Sequence, residues 1–345
     1  MRALAVVAVV GSACYAPATK SGSPCASDRD CPSTLVCSPA TGTCERTATE
    51  LDAARPIDAP LVDGCTPTRE ICGNGIDEDC DALDPACAAN DVAGGAIDVT
   101  AGGMFTGDAL LARDDVTANG CGGDGGRDLY YQVDLTAPQV YYFDTFGSSF
   151  DTVIRVYAKP CAMVGTGANA AACVDDACTT TQGQVAVALP TGKSCVVIDQ
   201  RAESELTGDV KLRVIKSGRD GKLLAAGMQT NASDTCASTN TIDQLDMNCD
   251  SPGSGGKDHG YFFTTCPNQT LKLDADLCPP PTWDPVLHVR RVTDDAQIGC
   301  NDDSCTLGPA LTNVTISGGP LYFLFVDGFD PMQCGAYSLD TNLRP

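Results

Sequence analysis

Residues 173–178 read CVDDAC, and residues 300–305 read CNDDSC. An unusual hexapeptide, two adjacent aspartates between two cysteines, occurs twice in one chain. Its surroundings repeat with it. GRDLYY (126–131) and FDTVIRV (150–156) precede the first copy, and CVVID (195–199) and GDVKLRV (208–214) follow it. GKDHGYF (256–262) and WDPVLHV (283–289) precede the second copy, and FLFVD (323–327) and CGAYSLD (334–340) follow it. Landmarks kept in one order mark an internal duplication. The hexapeptide occurs twice because a domain does.

Both halves consist of short alternating apolar runs separated by Gly, Pro, Asp and Asn. The first offers strands at 128–135, 139–145, 152–158, 183–189, 194–200 and 209–215. The second offers 259–265, 269–275, 285–291, 311–317, 321–327 and 336–340. Alternation between turn signals, without an amphipathic helix, predicts an all-β chain. The expected architecture is two tandem β-sandwich (jelly-roll-like) domains, 90–217 and 218–345, preceded by small disulfide-rich modules and a disordered linker.

Each half resembles the bacterial pre-peptidase C-terminal (PPC) domain. The resemblance rests on Phe150–Asp151 and Trp283–Asp284 before an apolar strand, the Asp-Asp turns, and late strands ending at Asp199 and Asp327. A final Gly335–Leu339 strand adds to it in the second half, whereas the first half has Gly208 but no matching tyrosine. It covers the chain from about Asp91 onward. It implies accessory or surface modules, some related ones binding Ca²⁺ or extracellular polymer.

The chain holds 21 cysteines, with 45 acidic against 22 basic residues. So many cysteines imply an oxidising compartment. The opening MRALAVVAVVGSAC (1–14) has one arginine, an apolar run too short to span a bilayer, and then small residues. That is a secretory signal over 1–13. GSAC resembles the lipobox of bacterial lipoproteins, with Gly11 where leucine is usual, and implies lipidation of Cys14. Ordinary cleavage after Ala13 is the rival reading. Lipidation leaves 21 − 1 = 20 cysteines, an even number that can all pair. Residues 14–24 then form a tether, and the expected location is the outer membrane, facing the surface or the periplasm. The acidic balance argues against nucleic acid and anionic lipid, so the membrane is met only through the anchor.

Cys25, Cys31, Cys37 and Cys44 form a small knot (25–44) that two bridges must hold. An Ala/Pro/Asp linker follows at 45–64. In the Cys/Asp-rich segment 65–89, Asp77, Asp79 and Asp81 alternate. With Asn74 and Asp84 they form an oxygen ligand set suited to Ca²⁺. The segment resembles the MopE-type metal-binding motif of secreted bacterial proteins. Asn74, Gly75, Asp77, Asp79, Cys80 and Asp81 match it, and Ala82 replaces its closing glycine. Ala88 at the twelfth position departs from an EF-hand. A solvated acidic turn is the other reading. Asp175, Asp176, Asp302 and Asp303 at the hexapeptide tips read as turn caps or as further Ca²⁺ ligands.

Each hexapeptide is expected to close on itself, Cys173 to Cys178 and Cys300 to Cys305, with Cys266–Cys278 another local bridge. Cys121, Cys161, Cys195, Cys236, Cys249 and Cys334 are left unassigned. The halves contain five and seven cysteines, both odd. Either a bridge crosses between them or two thiols stay free.

The only histidines are His259 and His288, and no G-x-S-x-G, Walker or Rossmann signature is present. His288 takes the place of Arg155 and is expected outward and solvated. Phe150 and Trp283 read as core. One ring of each pair, Tyr130/Tyr131 and Tyr141/Tyr142, is expected outward. The sequence reads as non-enzymatic, with a binding or scaffolding role at the envelope. Its partner would be an extracellular polymer or an envelope protein. An accessory module acting with a secreted hydrolase and a structural spacer are the alternatives.

Overall fold

The computed structural model describes residues 25–31, 35–39, 42–45, 67–116, 121–122, 126–165, 169–201, 208–242, 249 and 255–345. The signal, Cys14, the tether and nearly all of the linker lie outside the described residues. Two compact units divide the chain: residues up to Arg69 with Asp77–Leu83, and Glu70–Ile76 with Asp84–Pro345.

In the first unit a hairpin pairs β1 (Val36–Ser38) with β2 (Thr43–Glu45). Cys25–Cys37 and Cys31–Cys44 staple it.

The second unit holds both halves of the duplication. The first lobe runs β3 (Ile97–Asp98), β4 (Gly103–Asp108), β5 (Asp128–Leu135), β6 (Gln139–Asp144), β7 (Thr152–Tyr157), β8 (Ala172–Val174), β9 (Gln184–Leu189), β10 (Gly192–Gln200) and β11 (Asp209–Lys216). The second runs β12 (Lys222–Leu223), β13 (Gly227–Asp234), β14 (His259–Thr264), β15 (Leu271–Asp276), β16 (Pro285–Arg291), β17 (Gln297–Asn301), β18 (Ala310–Ile316), β19 (Leu321–Gly328) and β20 (Ala336–Arg344). Five-stranded sheets order β3-β5-β10-β7-β8 and β12-β14-β19-β16-β17. Four-stranded sheets order β4-β11-β6-β9 and β13-β20-β15-β18. The two topologies are identical strand for strand, down to the short parallel pair at one edge of each five-stranded sheet. The chain is all-β, with two tandem sandwiches.

Inward side chains of facing sheets make each core. Leu129, Tyr131, Tyr141, Phe143, Ile198 and Leu212 fill the first. Tyr261, Phe263, Leu273, Leu287, Leu324 and Leu339 fill the second. Strand β20 alternates exposed and buried residues, as a strand with one wet face must. Strands β7, β16 and β19 are buried on both faces almost throughout. Something therefore covers the outer face of each five-stranded sheet.

On the first lobe the cover is a loop. Val116 and Cys161 pack over Tyr130, Tyr157, Cys195 and Val197, and the Cys161–Cys195 bridge pins the cover down. On the second lobe the cover is a loop residue, Ile242, together with the first lobe itself. Val140, Tyr142, Ala186 and Ile215, on the outer face of the first four-stranded sheet, pack against Phe262, Phe323 and Phe325. The lobes stack head to tail through this apolar seam. Each fully buried aromatic or aliphatic side chain contributes about 1.5–3 kcal/mol. Gly260 makes room for the rings, since a Cβ there would lie 2.8 Å from Phe323 and 3.1 Å from Phe325.

Two expectations are corrected here. All four paired tyrosines are buried, because Tyr130 lies under the loop and Tyr142 in the seam. The hexapeptides do not close on themselves, and Cys266 does not pair with Cys278. Instead Cys173 bonds Cys121, Cys300 bonds Cys249, Cys305 bonds Cys278, and Cys178 bonds Cys266 across the seam. The geometry of the hexapeptide explains this. Cys173 sits on β8 opposite Arg155, whose Nη1 is 3.6 Å from its sulfur on the outer face. Cys178 lies past the tip in a left-handed conformation (φ 58°). Its sulfur contacts Gln184, which also donates to the Thr265 carbonyl of the other lobe. The odd count in each half is resolved by that one crossing bridge.

Candidate metal centre

The duplication places equivalent aspartates together at one end of each lobe. Asp151 leads into β7 and Asp284 into β16. Their backbone carbonyls accept the amides of Arg201 (3.2 Å) and Phe329 (3.0 Å), just past β10 and β19. The hexapeptide tips then fold against them. In the first lobe, carboxylate oxygens of Asp151, Asp175 and Asp176 all lie within 4.8 Å of one another. In the second, those of Asp284, Asp302 and Asp303 do the same. The hexapeptide aspartates were legible as candidates. Asp151 and Asp284 were visible only as a repeated aromatic-Asp pair, and nothing in the sequence tied them to the tips.

The two clusters differ in what stands over them. Arg201 donates from Nε to Asp175 Oδ2 at 3.2 Å, and its Nη1 is 3.8 Å from Asp151 Oδ2. Phe329 occupies that backbone position in the second lobe and brings no charge. Burial, then the charges of Asp303 and Asp330, push the Asp284 carboxyl up from its ordinary value. Its buried Oδ1 has no hydrogen-bond partner among the described residues. Three close carboxylates offering only oxygen suit a hard cation such as Ca²⁺.

The aspartates of the segment 65–89 are engaged differently. In the first unit, Asp77 accepts from the amides of Asp81 (3.0 Å) and Ala82 (2.8 Å), Asp79 from Asp81 (3.1 Å), and Asp81 from Leu83 (2.8 Å). In the second, Asn74 accepts from Ile76 and Asp84 from Gly73 and Gly75. These are turn-capping bonds, and carboxylate oxygens of Asp77 and Asp79 also lie within 4.8 Å of each other, as a shared cation would need. Ala82, in place of the motif's glycine, adopts φ 68°, so the tight turn forms without it.

A second pair of equivalent clusters is buried in the five-stranded sheets. In the first lobe Arg155 donates to Asp199 Oδ2 through Nε (3.0 Å), and its Nη2 lies 2.9 Å away. Asp128 beside them accepts the amides of Asp115 (2.9 Å) and Val116 (2.7 Å). Burial raises the Asp199 pKa to about 7 and holds Asp128 well above its ordinary value. In the second lobe the matching residues are Asp258, His288 and Asp327. Asp258 accepts from Thr241 and Ile242. His288 is fully buried, which corrects the solvated position expected for it. Alternation placed it on the outer face correctly, but that face is covered there, and the ring stacks on Phe325, a member of the seam. His259 is half-buried, with Nδ1 2.9 Å from the Tyr337 hydroxyl.

No family model matches the chain, and no curated protein matches it. A chain of Sulfolobus turreted icosahedral virus is similar over 70% of this chain and 59% of its own, at 10% identity and TM-score 0.21. The CUB1-EGF-CUB2 segment of human MASP-1/3 is similar over 70% and 99%, at 6% identity and TM-score 0.19. A tail fibre protein of an E. coli phage is similar over 72% and 42%, at 9% identity and TM-score 0.21. Likenesses at these scores carry no argument about what the chain does.

Proposed function

We propose that this protein is a non-catalytic binding or scaffolding protein of the bacterial envelope, anchored by lipid at Cys14, with Ca²⁺ stiffening its second lobe. Asp284, Asp302 and Asp303 hold the cation, and Asp175, Asp176 and Asp151 keep the matching cluster around Arg201. The partner is an extracellular polymer or another envelope protein. One observation carries the reading: the same carboxylate triad is built twice, and the second copy lacks the arginine that stands over the first. The disulfides support an oxidising compartment.

Calorimetric titration with Ca²⁺ tests it. Binding with Kd of roughly 10⁻⁴–10⁻³ M, typical of extracellular modules, is expected for the native protein and absent in Asp302→Asn/Asp303→Asn. At a hundredfold excess over Kd the cation adds about 2.7 kcal/mol of stability. No heat and no change in melting temperature at 10 mM Ca²⁺, a concentration of order tenfold above that range, overturns the cation site. The intact mass of the native mature protein tests the anchor, and an unacylated mass removes it.

A further inference from the structure

His288 sits beside the seam, where the first lobe uses an arginine. Position for position, His288 on β16 pairs with Phe325 on β19 as Arg155 on β7 pairs with Val197 on β10. The Arg155 guanidinium reaches its aspartate at hydrogen-bonding distance. The His288 ring stops short, with Nε2 3.6 Å from Asp327 Oδ2, beyond a hydrogen bond. Neither ring nitrogen has a hydrogen-bond partner among the described residues, and the residue is wholly buried. The ring stacks on Phe325 at 4.9 Å, and Phe325 is itself part of the seam. From the interlobe connection, Arg219 lies over the same Phe325 ring at 5.9 Å.

We propose that His288 makes the seam between the lobes acid-labile: the closed stack holds a neutral imidazole, and protonation favours opening. The charges around it decide the direction. Asp327 on β19 favours the imidazolium, with Asp258 before β14 set near Asp327. Arg290 on β16 and Arg219 oppose it, and Asp295 pairs with both arginines at 3.5 Å and 3.0 Å. Burial is the largest influence and pushes the imidazole below its ordinary value near 6.5. Water reaching an opened seam would restore that value. The closed form is therefore disfavoured as pH falls below about 6.5, by tenfold for each pH unit separating the buried and exposed titrations. At its unperturbed value only histidine titrates in that window, and the first lobe's Asp199, raised to about 7, is common to the native protein and the variants.

The test is amide exchange of Leu321–Gly328 and Gln139–Asp144 between pH 7.5 and 5, corrected for intrinsic rates. It is run on the full disulfide-bonded protein and on His288→Gln and His288→Arg. Protection in the native protein should fall with pH relative to both variants, whose seams lack the titrating ring. The His288 imidazole should titrate below 6.5 by NMR, with His259→Gln identifying its resonance. That reading needs no variant at 288 to fold. Equal pH dependence in native and variant seams, or titration at or above 6.5, overturns the proposal.

Discussion

Tyr142 and Asp274 occupy the same place in the two lobes, on the outer face of the central strands β6 and β15, opposite Ile215 and Asn342. Tyr142 is fully buried in the seam. Asp274 stays at the surface and pairs with Arg344 at 2.6 Å. The neighbouring Val140 and Lys272 diverge in the same way. The contrast shows what separates a joined face from an exposed one. A head-to-tail contact between like domains has no built-in end, and identical lobes would go on stacking. Here both free ends differ from the joined faces. A bridged loop caps the first five-stranded sheet, and charge caps the last four-stranded one. Repeat arrays need such polar or covered termini.

The largest effect should come from the seam. Tyr142→Ala should destabilise the protein by about 3–5 kcal/mol, as large-to-small changes in cores do. Asp274→Ala at the matching position should change it by about 1 kcal/mol or less. Denaturant unfolding measures both, and similar losses would mean that the second face is also covered. Next is the bridge that only a two-lobe stack contains. Cys178→Ser with Cys266→Ser should remove about 2–4 kcal/mol and split the calorimetric transition in two. A single transition of unchanged midpoint would show that the seam alone couples the lobes.

The buried charge centres should tilt the lobes in opposite senses. Asp199 titrates near 7 when folded but near 3.8 when exposed. Its favourable contribution is present in acid and lost as pH rises through 7. The slope for one proton is about 1.4 kcal/mol per pH unit. Asp128→Asn keeps an acceptor for the amides of Asp115 and Val116 and removes one carboxyl of the pair. It should flatten the fall in stability between about pH 4 and 7, whereas an unchanged profile would assign that slope to other groups. In the second lobe His288 acts the other way, against acid. The smallest change is expected from Arg201→Ala, under about 1 kcal/mol without Ca²⁺ because the arginine is half exposed. The variant should nonetheless gain a Ca²⁺ response in the first lobe, and Phe329→Arg should lose one in the second. Differential scanning with and without the cation reads both.

Much of the fold was legible because it is written in local period. The runs at 128–135 and 285–291 are strands over those same residues, and the others agree to within a few. The strands missed, among them β3, β8, β12 and β17, are short edges with little alternation. Strand β13 carries only small and polar side chains beyond Met228, so no apolar stripe announces it. At the candidate centre, the hexapeptide aspartates stood out by repetition. Asp151 and Asp284 join them through a return of the chain that the sequence does not mark.

Composition and order alone determined the all-β class, the duplication and the odd cysteine count that each half must resolve. Those follow from residue chemistry and from a side-chain period that any strand must obey. Only the tertiary structure decided which cysteine meets which, that His288 is dry, and that one Asp cluster holds an arginine while its twin does not. Each of those depends on what lies across a sheet face. Alternation says which side a residue points to, but whether water or a second lobe waits there is settled by contacts far along the chain.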